Sequence, residues 1–141
     1  MHLRQLSLPD FMDRAARVKF LTGQIVDKAH GDFDTNMLLD AVMAGTHRAY
    51  FYCNEDGGEL GIIYTTITEN LTDRILTIVG AAGAGANTET WGHLTRLFND
   101  LAKFEECTRY EIRGRRGFMK TFKQHGWEEK FTTITRQVTD E

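Results

Sequence analysis

Apolar residues recur along this chain in two rhythms, and the changes between them mark out its elements. Phe11, Ala15, Val18, Leu21 and Ile25 follow one another at helical spacings and share one face. Ser7 is placed to cap that helix, with Pro9 in the first turn and Asp10 at the positive end of the dipole. Gly23 ends or interrupts it, and His30, Gly31 and Asp32 read as loop. Asp34 caps a second helix with the apolar stripe Met37, Leu38, Ala41 and Val42, which Gly45 stops.

Strand patterns follow. Residues 49–53 are aromatic-rich, 54–58 form a polar turn ending in two glycines, and 60–67 make a longer β-branched run. After a second turn at 69–73, residues 75–79 supply a third strand, so the three predict an antiparallel meander. Residues 80–86 are all glycine or alanine, and from Thr88 the helical rhythm returns with Trp91, Leu94, Leu97, Phe98, Leu101 and Ala102 on one face. Residues 108–113 alternate as a half-buried strand does. A strand and a long helix precede them, so the crossover sets them parallel to the 75–79 strand. A turn at 114–117, a short helix at 118–125 ended by Gly126, and a threonine-rich strand at 127–138 complete the order.

With 141 residues, 41% hydrophobic and 26% charged, the chain is expected to form one soluble domain over residues 1–141. No apolar run approaches the roughly 20 residues of a membrane span. The start lacks the apolar core of a secretory leader, and Cys53 and Cys107 are too few for a disulfide framework, so a cytoplasmic setting is expected. Charge is uneven: residues 1–106 carry 9 Lys and Arg against 15 Asp and Glu, while residues 107–141 carry 8 against 5. A basic last quarter suits a phosphorylated ligand, nucleic acid or an acidic partner.

The stretch 75–105 holds the clearest candidate chemistry. A β-branched strand that passes through small residues into a helix suits an anion, because the first helical N–H groups lack partners and glycine lets the backbone approach a phosphate. The alternative is a tight connection that binds nothing. Glu69 and Asp73 flank the turn before the central strand and are the candidate general bases, with solvated turn carboxylates as the alternative. Met37 and Met43 either line a pocket or fill the core. The five histidines show no metal spacing, so no metal is expected. Arg109, Arg113, Arg115, Arg116, Lys120 and Lys123 form either a solvated face, a phosphate site or a contact for nucleic acid or protein, nucleic acid being the least favoured partner.

Three features together resemble the GNAT superfamily of acyl-CoA-dependent N-acetyltransferases: the apolar strand entering Gly80, Gly83 and Gly85, the long amphipathic helix, and the ending 118–127 with its short helix, glycine and tryptophan. Residues 107–118, with His125, Gly126 and Trp127, are also similar to small GNAT-like proteins of tailed bacteriophages. The resemblance implies an α/β (α+β) fold with a mixed, mainly antiparallel sheet of about six strands flanked by helices. It implies acetyl-CoA or coenzyme A as cofactor, with backbone of Ile78, Val79 and Gly80 along the pantetheine arm, and Gly83, Gly85, Arg115 and Arg116 at the phosphates. The acceptor would be an amine.

The departures point the other way. The family usually has Gln or Arg where Gly80 stands, an asparagine where Arg115 stands, and a proton-donating tyrosine where Phe122 stands. Phenylalanine has no proton to give, and general acid catalysis contributes about 10²–10⁴-fold. Tyr110 is the candidate substitute, with strand packing as its other role. Glu89 would add a repulsive charge near the phosphates. Two functions are therefore expected in competition: an N-acetyltransferase, and a non-catalytic phage virion-associated or assembly protein whose partners are phage structural proteins.

Overall fold

Ser7 caps a helix, and its surroundings show why. In the computed structural model, the Ser7 hydroxyl accepts from the Asp10 backbone N–H, while the Asp10 carboxylate accepts from the Ser7 N–H at 2.7 Å, a reciprocal capping box. The Ser7 amide and the Arg4 guanidinium at 2.7 Å together hold the Asp10 carboxyl down to about 2. The structure describes residues 1–28, 34–83, 88–112, 122–128, 136 and 138. Over these it forms β1 (His2–Gln5), α1 (Leu8–Asp13), α2 (Ala15–Lys28), α3 (Thr35–Met43), β2 (Arg48–Cys53), β3 (Glu59–Glu69), β4 (Arg74–Gly83), α4 (Thr88–Phe104) and β5 (Arg109–Ile112).

The strands lie in the order β1-β2-β3-β4-β5, antiparallel except for the parallel pair β4 and β5. Helices cover both faces. On one, Val18, Leu21 and Ile25 of α2 and Leu38 of α3 pack on Ala49, Phe51, Ile62 and Tyr64. On the other, Leu94 and Phe98 of α4 pack on Tyr52, Ile63 and Ile78. Burial on both faces explains why β2 and β3 read as nearly continuous apolar runs. No described helix is long and apolar enough to cross a membrane.

Several expectations change. The first helix breaks at Arg14 into α1 and α2, and α2 then runs through Gly23, where packing of its apolar face outweighs the roughly 1 kcal/mol that glycine costs a helix. The N-terminal strand β1 has too few residues to show a period, and it forms because β2 offers an open edge. Five strands, rather than about six, lie among the described residues. The closing strand expected at 127–138 falls largely outside them, and the turn at 114–117 wholly so. Met37 and Met43 are each 54% exposed, so they do not fill the core.

The correction that matters most concerns residues 80–83. Expected as loop, they continue β4, because the long strand β3 supplies partners for them: Gly80 pairs with Tyr64, Ala81 with Ile63, Ala82 with Ile62 and Gly83 with Gly61. Cross-strand hydrogen bonds here override weak strand propensity.

Candidate functional site

The pairing of β3 with β4 skips one residue. Tyr64 lies opposite Gly80 and Thr65 opposite Ile78, leaving Val79 as the extra residue of a β-bulge. Side-chain direction records the same event. Ile78 packs on the α4 side, and Val79 packs on the α2 side. Gly80 also faces α2, since a Cβ there would meet Ile25 Cγ2 at 2.5 Å. Strict alternation would have returned Gly80 to the α4 side.

Over the described residues the parallel ladder runs from Ile75 opposite Arg109 to Ile78 opposite Ile112, the last described residue of β5, and β4 is described through Gly83. Residues 79–83 therefore have no β5 partner among the described residues. A bulge raises local twist and re-aims the backbone, and here it sets Val79 and Gly80 on the same side of the sheet. What borders this stretch is small: Gly80, Ala81, Ala82 and Gly83 project at most a methyl group. Strand N–H and C=O groups at such a bulge can pair with an extended ligand, and an N–H there can donate to a carbonyl on which negative charge develops.

Of the residues the sequence singled out, Ile78, Val79, Gly80 and Gly83 come together here. Gly85, Arg115 and Arg116 lie outside the described residues. Glu69 and Asp73 sit at the opposite end of β4. At about 3.3 Å per residue, Gly83 is roughly 30 Å from Arg74 and Val79 roughly 17 Å. Both carboxylates are engaged there: Glu69 pairs with Arg74, and Asp73 accepts from Arg109 at 2.6 Å and from the Thr108 hydroxyl at 3.0 Å. Neither reaches the bulge, and Arg109 belongs to this ion-pair group rather than to a phosphate site.

Phe122 is buried and held in an aromatic cluster. Its ring meets Trp91 edge-on at 5.0 Å and Trp127 at 5.3 Å, and Trp127 meets Tyr110 edge-on at 5.0 Å. The Trp127 indole N–H donates to the Thr95 hydroxyl at 2.9 Å, tying the cluster to α4. Tyr110 stands opposite Leu76, and burial pushes its hydroxyl pKa up. Beside α4 an open cleft of about 430 Å³ is lined by Glu89, Gly92, His93, Thr95, Arg96 and His125. Arg96 donates to His93 Nδ1 at 2.8 Å, and Glu89 lies 3.9 Å from His93 Nε2, so an imidazole faces the Glu89 charge.

One residue missed by sequence reasoning is Glu111. It lies opposite Thr77, between Tyr110 and Ile112, which both pack on the α4 side; alternation therefore turns Glu111 to the α2 side, the side of Val79 and Gly80. Its side chain is 34% exposed and lies 3.8 Å from Arg109 Nε, so it borders the same ion-pair group as Asp73. In the sequence it reads as one of the charged positions of an alternating, half-buried strand, so residue type alone did not single it out.

No protein-family model matches the chain, and no curated protein matches it either. Solved structures do. A probable acetyltransferase matches with TM-score 0.70 at 14% identity, covering 100% of both chains. A putative acetyl transferase from Pyrococcus furiosus gives 0.68 at 14% identity, covering 96% of this chain and 98% of that one. A Clostridium acetobutylicum protein described as a predicted acetyltransferase, solved with acetyl-CoA, gives 0.63 at 14% identity over 96% and 95%. With its bulged central strand, parallel β4 and β5 and long crossover helix, the chain has the fold of these acetyltransferases, the GNAT fold.

Proposed function

We propose that residues 79–83 bind acetyl-CoA and that the chain transfers its acetyl group to an amine. The observation that carries this is the bulge at Val79, in the strand that pairs in parallel with β5, in a chain with the fold of solved acetyltransferases. The residues present fit the cofactor. Side chains at 80–83 add little bulk along the strand, and the glycines at 80 and 83 are required by packing within the fold, since a Cβ would lie 2.5 Å from Ile25 Cγ2 at Gly80 and 2.3 Å from Leu60 O at Gly83. Gly85, Arg115 and Arg116 are the proposed phosphate contacts beyond it. When bound, acetyl-CoA supplies an acyl group activated as a thioester.

The chain's own groups then have distinct tasks. An N–H of Val79 or Gly80 polarises the acyl carbonyl. Glu111, two register positions from Val79 on the same side of the sheet, accepts the proton of the attacking amine, the part that Glu69 and Asp73 are too distant to play. Phe122 keeps its ring among Trp91 and Trp127 and donates nothing, so the departing sulfur takes its proton from water.

Phe122 favours a second function: a binding protein that keeps the fold and the bulge without useful turnover, serving as the phage particle or assembly component that the sequence resemblance implies. Calorimetric titration with acetyl-CoA separates the cases. Binding with thiol release over a panel of amines supports transfer, and binding without release supports the second function. No heat at millimolar acetyl-CoA refutes the proposed site.

A further inference from the structure

The α2 side of the sheet changes character at the bulge. Its apolar cluster takes Ile62 and Tyr64 from β3 and Val79 and Ala82 from β4, and among the described residues it reaches no further toward the turn that joins these strands. Two residues beyond Tyr64 and Val79 in that direction, three polar side chains stand in a row across three strands. Thr66 pairs with Thr77, and Thr77 with Glu111. All three face the α2 side: Thr66 follows Tyr64 by two, Thr77 precedes Ile78, which packs under α4, and Glu111 lies between Tyr110 and Ile112. All three are half-buried. The Thr66 hydroxyl donates to the Thr46 carbonyl at 2.9 Å, and its own oxygen keeps lone pairs that can accept. No described residue hydrogen-bonds the Thr77 hydroxyl.

An amine that reaches Val79 from the side of Glu111 crosses this row, because α2 closes the approach over Gly80, where Ile25 rests. We propose that the row is the floor of the acceptor site and that the substrate is a small amine carrying hydroxyl groups. The inference rests on the acetyl transfer proposed above and names its substrate class. Neighbouring strands lie about 4.8 Å apart, so the row spans roughly 10 Å, enough for one substituted six-membered ring. Glu111 takes the amino end, and Thr66 and Thr77 pair with hydroxyls. Charge agrees: two carboxylates, Asp73 and Glu111, face the single guanidinium of Arg109, and the surplus negative charge favours an amine over an acceptor that carries a carboxylate. An apolar amine of the same size would take water from the hydroxyls and the carboxylate and give no hydrogen bond in return, which selects against it.

Glucosamine and cyclohexylamine share a ring size and an amino group and differ in the hydroxyls. NMR titration with each, first without and then with coenzyme A, reads the amides of Thr66, Thr77 and Glu111. Glucosamine gives saturable shifts there, and cyclohexylamine binds at least about fivefold more weakly, the loss of one ordinary hydrogen bond. Thr77→Val keeps the shape and removes the hydroxyl, which weakens glucosamine binding by about fivefold, and Thr77→Ser restores it. Equal affinity for the two amines, no response to glucosamine in either condition, or unchanged binding in Thr77→Val overturns the inference. Acetyl-CoA binding and thiol release are then measured separately. Release with cyclohexylamine and none with glucosamine keeps the transferase and overturns the hydroxylated acceptor. Glucosamine bound at the row by a protein blind to acetyl-CoA overturns the cofactor site and leaves the amine-binding row in place.

Discussion

Replacing Gly80 with alanine puts a methyl group where α2 already touches β4. A Cβ there would lie 2.5 Å from Ile25 Cγ2, against the roughly 3.5–4.0 Å at which two carbons rest. Ile25 cannot swing aside: it is 5% exposed, and a β-branched side chain in a helix has essentially one χ1 rotamer. The overlap of over about 1 Å must be absorbed by α2 or by the bulge, and overpacking of this kind costs about 1–3 kcal/mol. For a chain of this size that lowers Tm by roughly 3–12 °C. Elsewhere in a strand, Gly→Ala stabilises by about 0.4–1 kcal/mol through the unfolded state, so the predicted sign is the opposite of the default. Ile25→Ala alone opens a cavity and costs about 2–5 kcal/mol. On that background Gly80→Ala should cost almost nothing, a coupling of about 1–3 kcal/mol. Urea denaturation of the four proteins measures it. Additive effects, or a stabilising Gly80→Ala, would show that α2 does not rest on the bulge.

Other outcomes follow from single contacts. Phe122→Tyr should bring a proton donor to the position where the sequence resemblance implies one. If the acetyl transfer proposed here is limited by that step, thiol release rises by up to about 10²-fold, whereas an unchanged rate places the limit elsewhere. Asp73→Asn should lower stability by about 1–3 kcal/mol by removing the nearer of the two carboxylates that face Arg109, with acetyl-CoA affinity unchanged; a loss of affinity would return that carboxylate to the site. The Asp10 carboxyl titrates near 2 in the folded chain and near 4 unfolded, so its contribution is full above about pH 4 and fades as pH falls through 2. Asp10→Asn should therefore flatten that part of the acid-denaturation curve, and an unaltered profile refutes the capping box as its cause.

Much of the fold was legible because its signals are periodic. The strands β2, β3 and β4 and the helix α4 each bury a full face, and the crossover rule gave the parallel sense of β5. β1 was not legible, since four residues carry no period and its partner is nearly 50 residues away. The glycine-rich run misled for a related reason: its small residues have no strand preference of their own and take the strand form from the ladder that β3 provides. Sequence order put Glu69 and Asp73 next to the central strand without showing at which end of it they stand. The skip at Val79 leaves no trace in residue types, because a one-residue bulge is a matter of how two strands count against each other. Glu111 was visible as a residue, but which side of the sheet it faces and what lies opposite depend on register, which no local pattern reports.

The central claim is that the backbone past the bulge holds an acyl-CoA. Amide resonances of residues 78–83, followed by NMR as coenzyme A is added, test it directly. The account predicts saturable shifts concentrated at Val79, Gly80 and Gly83, with Arg74 and Asp73 still. Shifts confined to the cleft beside His93 and His125, or none at millimolar coenzyme A, would contradict it.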